Sequence, residues 1–377
     1  MTHAAHAAIC RGPDTPFAIE PVALDTLRPD ELLVRIVACG ICHTDLAVRD
    51  QQIPVPLPVV LGHEGAGIVE AVGDAVTVAK PGDRVVMSFN SCGHCPNCDA
   101  QAPTYCYNFF PENWSGTRAD GTPTMTAAGG TMNANFFGQS SFATHAIAHE
   151  RNTVRVPDDL AHLPIERLGP IGCGLMTGAG AVLRSMKARA GLPIVVAGAG
   201  TVGMAAIMAA KIAGANPIVA IDINDKRLEL ARELGATHAF NARADAIGQV
   251  RTLCPAGVDA AFDTTGRKEV IQDLFGLLAP RGKLGIVGAS EPGDQLTFDE
   301  AQCMGGGRTV MGILGGDSDV AGFLIELLRH HAEGRFPYDR LVRYFDFADI
   351  DAAVHASESG EVVKPILVMD RAATSEA

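Results

Sequence analysis

No basic cluster or basic helix appears in this chain, and 43 aspartates and glutamates outnumber 30 lysines and arginines. The net charge of −13 therefore argues against a nucleic-acid or anionic-membrane surface and serves solubility. A long apolar run is also missing. The uncharged stretch from Ile194 to Ala210 is too short and glycine-rich for a membrane span, and Lys211 interrupts it. The first eight residues, Met1 to Ala8, lack a charged start and an extended apolar core. No secretory signal is expected, and a cytoplasmic location is. Internal repeats and low-complexity segments are absent. His63-Glu64 has no second histidine four residues on, where Gly67 stands, so the zinc-peptidase motif fails.

Cysteine, by contrast, is plentiful at ten residues. Cys92, Cys95, Cys98 and Cys106 follow the spacing C-x₂-C-x₂-C-x₇-C in a loop that contains Gly93 and Pro96. Four thiolates so close in sequence can occupy all four corners of a tetrahedral zinc, which makes a closed, structural site. Two disulfides are the alternative, and they suit a secreted protein better than a cytoplasmic one.

A second set is dispersed. Cys42 lies in Cys39-Gly-Ile-Cys-His-Thr-Asp45, after the apolar, strand-like run Leu32 to Val37. His63 and Glu64 follow in Leu61-Gly-His-Glu-Gly-Ala-Gly67, and Cys173 stands in Ile171-Gly-Cys-Gly174. Two thiolates and one imidazole would leave the fourth corner of a zinc open to water or substrate. Cys10, Cys39, Cys254 and Cys303 read as small buried hydrophobes.

The third signal is a phosphate-binding turn. Pro193 to Ala197 has the pattern of a buried strand, Gly198-Ala-Gly-Thr-Val-Gly203 follows, and Met204 to Ala213 reads as helix. Gly198 permits the tight turn, Gly200 lets the backbone approach a pyrophosphate, and Gly203 allows close packing of helix on strand. Asp222 ends the next strand, Pro217 to Ile221, where an acid bonds the adenosine ribose. A carboxylate there repels a 2′-phosphate, so NAD is favoured over NADP, although Lys226 and Arg227 are near.

The length of 377 residues suggests two domains, and 47% apolar residues supply two cores. The first part is strand-like and punctuated by glycine and proline, which suggests a bent, barrel-like β domain. The polar stretch Ser115 to Asn135 is expected to be a surface loop beside the structural zinc. From about Leu175 onward, strands at 194–196, 218–221, 258–263, 283–288 and 309–313 alternate with helical runs at 227–234 and 270–278. That alternation implies a parallel sheet with helices on both faces. The tail after about Gly316 carries an amphipathic helix, Val320 to His330.

Together and in this order, these motifs resemble the zinc-dependent alcohol dehydrogenases of the medium-chain dehydrogenase/reductase superfamily, over nearly the whole chain. The residues are Cys39 to Asp45, Gly62-His63-Glu64 with Gly67, Gly73 and Val76, the four-cysteine loop, Gly172-Cys173-Gly174 with Thr177-Gly178, the Gly198 turn and Asp222. Within that family the chain is similar to the bacterial aryl-alcohol (benzyl alcohol) and geraniol dehydrogenases, through Cys42 to Leu46, Ser88 to Cys95 and Phe136 to Phe142. The resemblance implies an α/β fold: a Rossmann doubly wound parallel sheet plus a GroES-like, β-rich catalytic domain. The expected boundaries are 1–174 for the catalytic domain with its zinc loop 92–106, 175–316 for the NAD-binding domain, and 317–377 for a segment completing the first domain.

The implied activity is reversible oxidation of a primary aromatic or allylic alcohol to its aldehyde, with two zincs per chain and NAD as hydride acceptor. A general primary-alcohol or glutathione-dependent formaldehyde dehydrogenase is the alternative, and a zinc-free quinone or enoyl reductase a more distant one. Cys42, His63 and Cys173 correspond to the catalytic zinc ligands, a set established for alcohol dehydrogenases. Thr44 corresponds to the hydroxyl that receives the alcohol proton, Asp45 to the carboxylate that orients His63, and Glu64 to an acid behind the metal. Cofactor binding falls to Gly198, Gly200, Val202, Gly203, Asp222, Lys226, Thr177 and Val287, with His43 and Lys364 as pyrophosphate-binding bases. Ser88, Phe136, Phe137, Ile313 and Leu314 are expected to line the substrate pocket. Many relatives end the proton relay in a histidine shortly after Asp45, but Leu46-Ala47-Val48 stand here. His43 or ordered water could then serve as final acceptor. A homodimer is implied, with a tetramer as the alternative.

Overall fold

A computed structural model describes residues 4–369 apart from Asp14, Thr131, Ala289, Glu291 and Pro292. The chain divides into two compact units. The first comprises residues 1–173, 319–332 and 339–377, and the second residues 174–318 and 333–338.

The first unit is built on two sheets. A four-stranded sheet runs in the order Val59–Val60, Ala4–Cys10, Ala18–Leu24, Met125–Ala127. In Ala18–Leu24 exposed positions alternate with more protected ones, of which Val22 and Leu24 are buried, as in a strand with one wet face. The larger, seven-stranded sheet centres on Glu31–Gly40, where nine of ten residues are buried. A strand covered on both faces has no polar side to display, which is why it reads as a nearly continuous apolar run. Its partners include Gly65–Val72, His145–His149 and, from the far end of the chain, Lys364–Val368. This last pairing brings Ile366 opposite Gly40 and so fixes Lys364 beside Ile41.

Helix Val320–Ala332 buries Val320, Phe323, Leu324, Leu327 and Leu328, a single stripe of 3.6-residue period. That stripe packs on residues 153–155, 158–160 and 169–172, the backbone that leads directly into Cys173.

Ser115 to Asn135 departs from the expected surface loop. Met125–Ala127 is the fourth strand of the smaller sheet, and Thr124, Met125, Met132 and Ala134 are buried. Arg118 anchors the segment, with its guanidinium donating to Glu31 at 2.6 and 2.8 Å and to Asp25 at 2.6 Å. Thr124 and Asn135 also turn inward, bonding the Ala134 and Thr117 carbonyls, while Asp120, Thr122 and Thr126 stay exposed.

The second unit carries a six-stranded, all-parallel sheet in the order His238–Asn241, Ile218–Asp222, Ile194–Ala197, Val258–Asp263, Leu278–Ile286, Thr309–Gly312. Strand order reverses beside Ile194–Ala197, and open α/β sheets bind ligands outside the carboxyl end of the strand at such a switch point. The strand is buried at all four positions, and the Gly198 turn leaves its carboxyl end.

Candidate active site

Cys42 sits at the N-cap of helix His43–Arg49, at the end of the apolar strand Glu31–Gly40. Asp45, in the first turn of that helix, is fully buried and accepts from the backbone N–H of Cys42 at 2.9 Å and of Gly62 at 3.1 Å. The same carboxylate lies 2.9 Å from His63 Nδ1. The imidazole donates its Nδ1–H to this carboxylate, which leaves the Nε2 lone pair for a metal.

His63 Nε2 is 3.2 Å from Cys173 Sγ, and Cys173 Sγ is 3.9 Å from Cys42 Sγ. Sulfurs bound at about 2.3 Å to a tetrahedral zinc stand about 3.8 Å apart, so the donor set fits the ion. Glu64 contributes a carboxylate oxygen to the same group, all of whose donor atoms lie within 4.8 Å of one another. Metal-free, contact with Cys173 and with His63 holds Cys42 well below the ordinary thiol range against the effect of burial. The Cys42 contact and burial push Cys173 well above it.

Glu64 and Lys364 form a buried pair. Lys364 Nζ donates to both carboxylate oxygens, at 3.0 and 2.9 Å, and to the Ile41 carbonyl at 2.9 Å. An ammonium has three donors, and all three are used. Lys364 is 2% exposed, which corrects its expected role as a pyrophosphate-binding base: its charge is held inside by Glu64. Gly40 makes room for that pair, because a Cβ there would stand 2.0 Å from Glu64 Oε2.

The remaining expected residues divide. Thr44 Oγ1 lies 3.7 Å from Cys42 Sγ, at the rim of the cluster, and His43 is exposed on the first position of the helix. Phe137 is half-buried and its ring stacks on His63 at 4.5 Å and 24°. Phe136 meets the imidazole edge-on at 5.6 Å, and Ser88 gives its hydroxyl to the Gly172 carbonyl at 2.6 Å. Both are fully buried, so they brace His63 and the backbone before Cys173 and present no surface for a substrate. In the second unit, Ile313 is buried and Leu314 exposed.

Two buried side chains that the sequence reading passed over tie this unit together. Gln139 Nε2 donates to the carbonyls of His63 and Ser88, while its Oε1 accepts from Gly65 N and Ser141 Oγ. Asn152 Nδ2 donates to the carbonyls of Phe137 and Gly138, each at 3.0 Å. Gln139 stands in Phe136-Phe-Gly-Gln-Ser-Ser-Phe142, a mixed segment with no signal that marks the glutamine as buried.

The four-cysteine loop closes on itself. Sγ separations are 3.9 Å for Cys92–Cys98, 3.5 Å for Cys95–Cys98 and 4.0 Å for Cys95–Cys106. These match the edges of a zinc tetrahedron and far exceed a disulfide bond of about 2.05 Å. The N–H of Tyr107 points at Cys95 and draws it down to about 6, while burial pushes Cys106 up to about 12.

In the second unit, Gly198 has φ +92, and a Cβ on Gly203 would stand 1.8 Å from the Gly198 carbonyl oxygen. Gly200 precedes helix Thr201–Ile212 with no side chain to cap it, and a Cβ there would meet nothing within 4 Å. Helices 225–234 and 246–253, by contrast, are capped by Asn224 and Asp245. An uncapped N-terminus beside open space suits a pyrophosphate. Asp222 accepts from Ala199 N at 2.6 Å and Asn224 N at 2.8 Å, which braces the turn and leaves lone pairs for a ribose. Lys226 is exposed in the next helix, and Val202 is half-exposed in the first turn of helix Thr201–Ile212. Thr177 is buried, and Val287 N donates to the Asp263 carbonyl.

Residues 28–158 match the alcohol dehydrogenase GroES-like domain, and residues 201–330 the zinc-binding dehydrogenase family. Geraniol dehydrogenase of Castellaniella defragrans is 44% identical over 97% of each chain. Among solved structures, an alcohol dehydrogenase zinc-binding domain protein from Burkholderia ambifaria shares 47% identity at a TM-score of 0.96, covering 98% of this chain and all of its own. Benzyl alcohol dehydrogenase from Acinetobacter calcoaceticus shares 41% identity at a TM-score of 0.94, with the same coverage.

Proposed function

We propose, from the premise that this chain belongs to the zinc-binding alcohol dehydrogenase family, that it oxidises primary aromatic or allylic alcohols to aldehydes with NAD, reversibly. The carrying observation is the convergence of Cys42, His63 and Cys173 in a single cluster, with Glu64 neutralised by Lys364 beside it. The benzyl alcohol and geraniol relatives support the substrate class.

Cys42, His63 and Cys173 would hold the catalytic zinc, and Cys92, Cys95, Cys98 and Cys106 the structural one. When bound, the catalytic ion supplies Lewis acidity, which for water moves the pKa from about 15.7 to about 7–9. Asp45 keeps His63 in the tautomer that presents Nε2. Thr44, next to Cys42, is the hydroxyl that takes up the substrate proton, and the absence of a histidine at 46–48 leaves His43 or solvent to carry it on. Gly198 to Gly203 would hold the pyrophosphate of NAD and Asp222 its ribose, and the nicotinamide would supply the hydride acceptor. Val202, Thr177, Val287 and Lys226 complete that site. We expect a homodimer. Among the described residues no helix is long and apolar enough to cross a membrane.

A substrate panel tests the reading. Benzyl, cinnamyl or geranyl-type alcohols should give kcat/KM at least about tenfold above ethanol, the value of a modest apolar contact. NAD should be reduced faster than NADP, followed at 340 nm. Equal efficiency on ethanol would end the substrate proposal.

A further inference from the structure

Phe137 stands in a backbone conformation that a bulky side chain rarely adopts, φ 52 and ψ 31, in the left-handed region. Gly138 at φ 65 and Ser140 at φ 51 share it. Such an outlier persists only where its surroundings over-determine it, and here they do. Asn152, fully buried, donates from Nδ2 to the carbonyls of both Phe137 and Gly138, and its Oδ1 accepts from His149 N. Ser140 Oγ accepts from Phe136 N and donates to the Val60 carbonyl, and Gln139 ties the same turn to the His63 carbonyl.

What this turn delivers is a flat ring on a flat ring. The Phe137 ring lies 4.5 Å from the His63 imidazole at an interplanar angle of 24°, and Phe136 closes the edge at 5.6 Å and 84°. The hydrogen bond from Asp45 pins one atom of the imidazole, Nδ1. A ring held at one atom can still tilt about that contact and swing its Nε2 lone pair off the metal position. A stacked face removes that freedom.

We infer that Phe137 is a positioning residue for the catalytic metal, setting the plane of the His63 imidazole through a backbone turn locked by Asn152. This rests on the reading that His63 ligates zinc. It predicts an effect on the metal with no substrate present.

Phe137→Leu keeps an apolar side chain of similar bulk without a planar face, and Phe137→Tyr keeps the face. Zinc release from each purified protein is followed with a chromogenic chelator, and the cobalt-substituted proteins are compared by their ligand-field absorption. The four-cysteine zinc is the internal reference. Phe137→Leu should release one of its two zincs about 10–100-fold faster than the parent, the range for groups that orient a metal-bound histidine. It should also shift the cobalt bands, with the second zinc unchanged. Phe137→Tyr should match the parent in both respects. Parent-like release and bands in Phe137→Leu, or both zincs lost at the same accelerated rate, would overturn the inference while leaving the zinc reading standing. A parent that carries one zinc per chain would overturn both.

Discussion

At the scale of single residues, the site depends on groups whose partners lie far away in sequence. Lys364 and Glu64 are 300 positions apart, and nothing local in Val363-Lys364-Pro365 indicates a buried carboxylate across the strand pairing. The expected role of Lys364 as a pyrophosphate-binding base came from the resemblance, and nothing in its residue type points to the buried pairing with Glu64. Replacing Lys364 by methionine leaves Glu64 buried without a counter-charge and should cost about 3–5 kcal/mol in urea unfolding. The double variant Lys364→Met, Glu64→Gln should recover most of that loss, since removing both members of a buried pair is commonly near neutral. Asp45 is more demanding. It accepts from two backbone N–H groups as well as from His63, and an amide has only one acceptor oxygen. Asp45→Asn should lower catalytic-zinc affinity about 10–100-fold in a chelator competition.

At the scale of elements, the parallel sheet was legible because strands buried on both faces leave continuous apolar runs, and glycine turns and helix-forming stretches separate them. Residues 115–135 were not legible. Arg118, Thr124 and Asn135, which hydrogen-bond inward, are residue types that a solvated loop would also carry, and nothing in their type points to those partners. The turn at Gly198 gives a direct test of its own. Gly203→Ala puts a methyl 1.8 Å from the Gly198 carbonyl, so helix and strand must separate. The variant should keep both zincs and lose about a hundredfold in kcat/KM for NAD, the cost of misplacing a binding group by an ångström. The turn after strand His145–His149 carries a pH signature. His149 Nδ1 accepts from Arg151 N, and Nε2 donates to Asp30. Burial, with the Arg151 charge, lowers the His149 pKa below its ordinary 6.5. The unfolded chain then binds this proton first, so stability falls as pH drops through about 6.5. His149→Asn should flatten that slope in unfolding measured between pH 5 and 8.

At the scale of the whole molecule, the chain builds its metal chemistry and its nucleotide turn on separate units. The first unit gathers its parts from both ends of the sequence: strand Lys364–Val368 and helix Val320–Ala332 return to support Cys42 and Cys173. Both unit types were legible in the motifs; the four-cysteine loop stood out by its spacing, whereas Cys42, His63 and Cys173 were picked out through the family resemblance. The supporting shell of Gln139, Asn152 and the Glu64–Lys364 pair emerged only with the fold, because its contacts are with backbone and with residues distant in sequence.

The account turns on three side chains grasping one ion. Zinc counted by elemental analysis, side by side in the parent and in Cys173→Ser, tests this most directly when alcohol-dependent NADH formation is recorded on the same samples. Two zincs in the parent, a deficit confined to the catalytic site in the variant, and loss of turnover are the expected results. A variant that retains two firmly held zincs and oxidises alcohol at the parent rate would contradict the account.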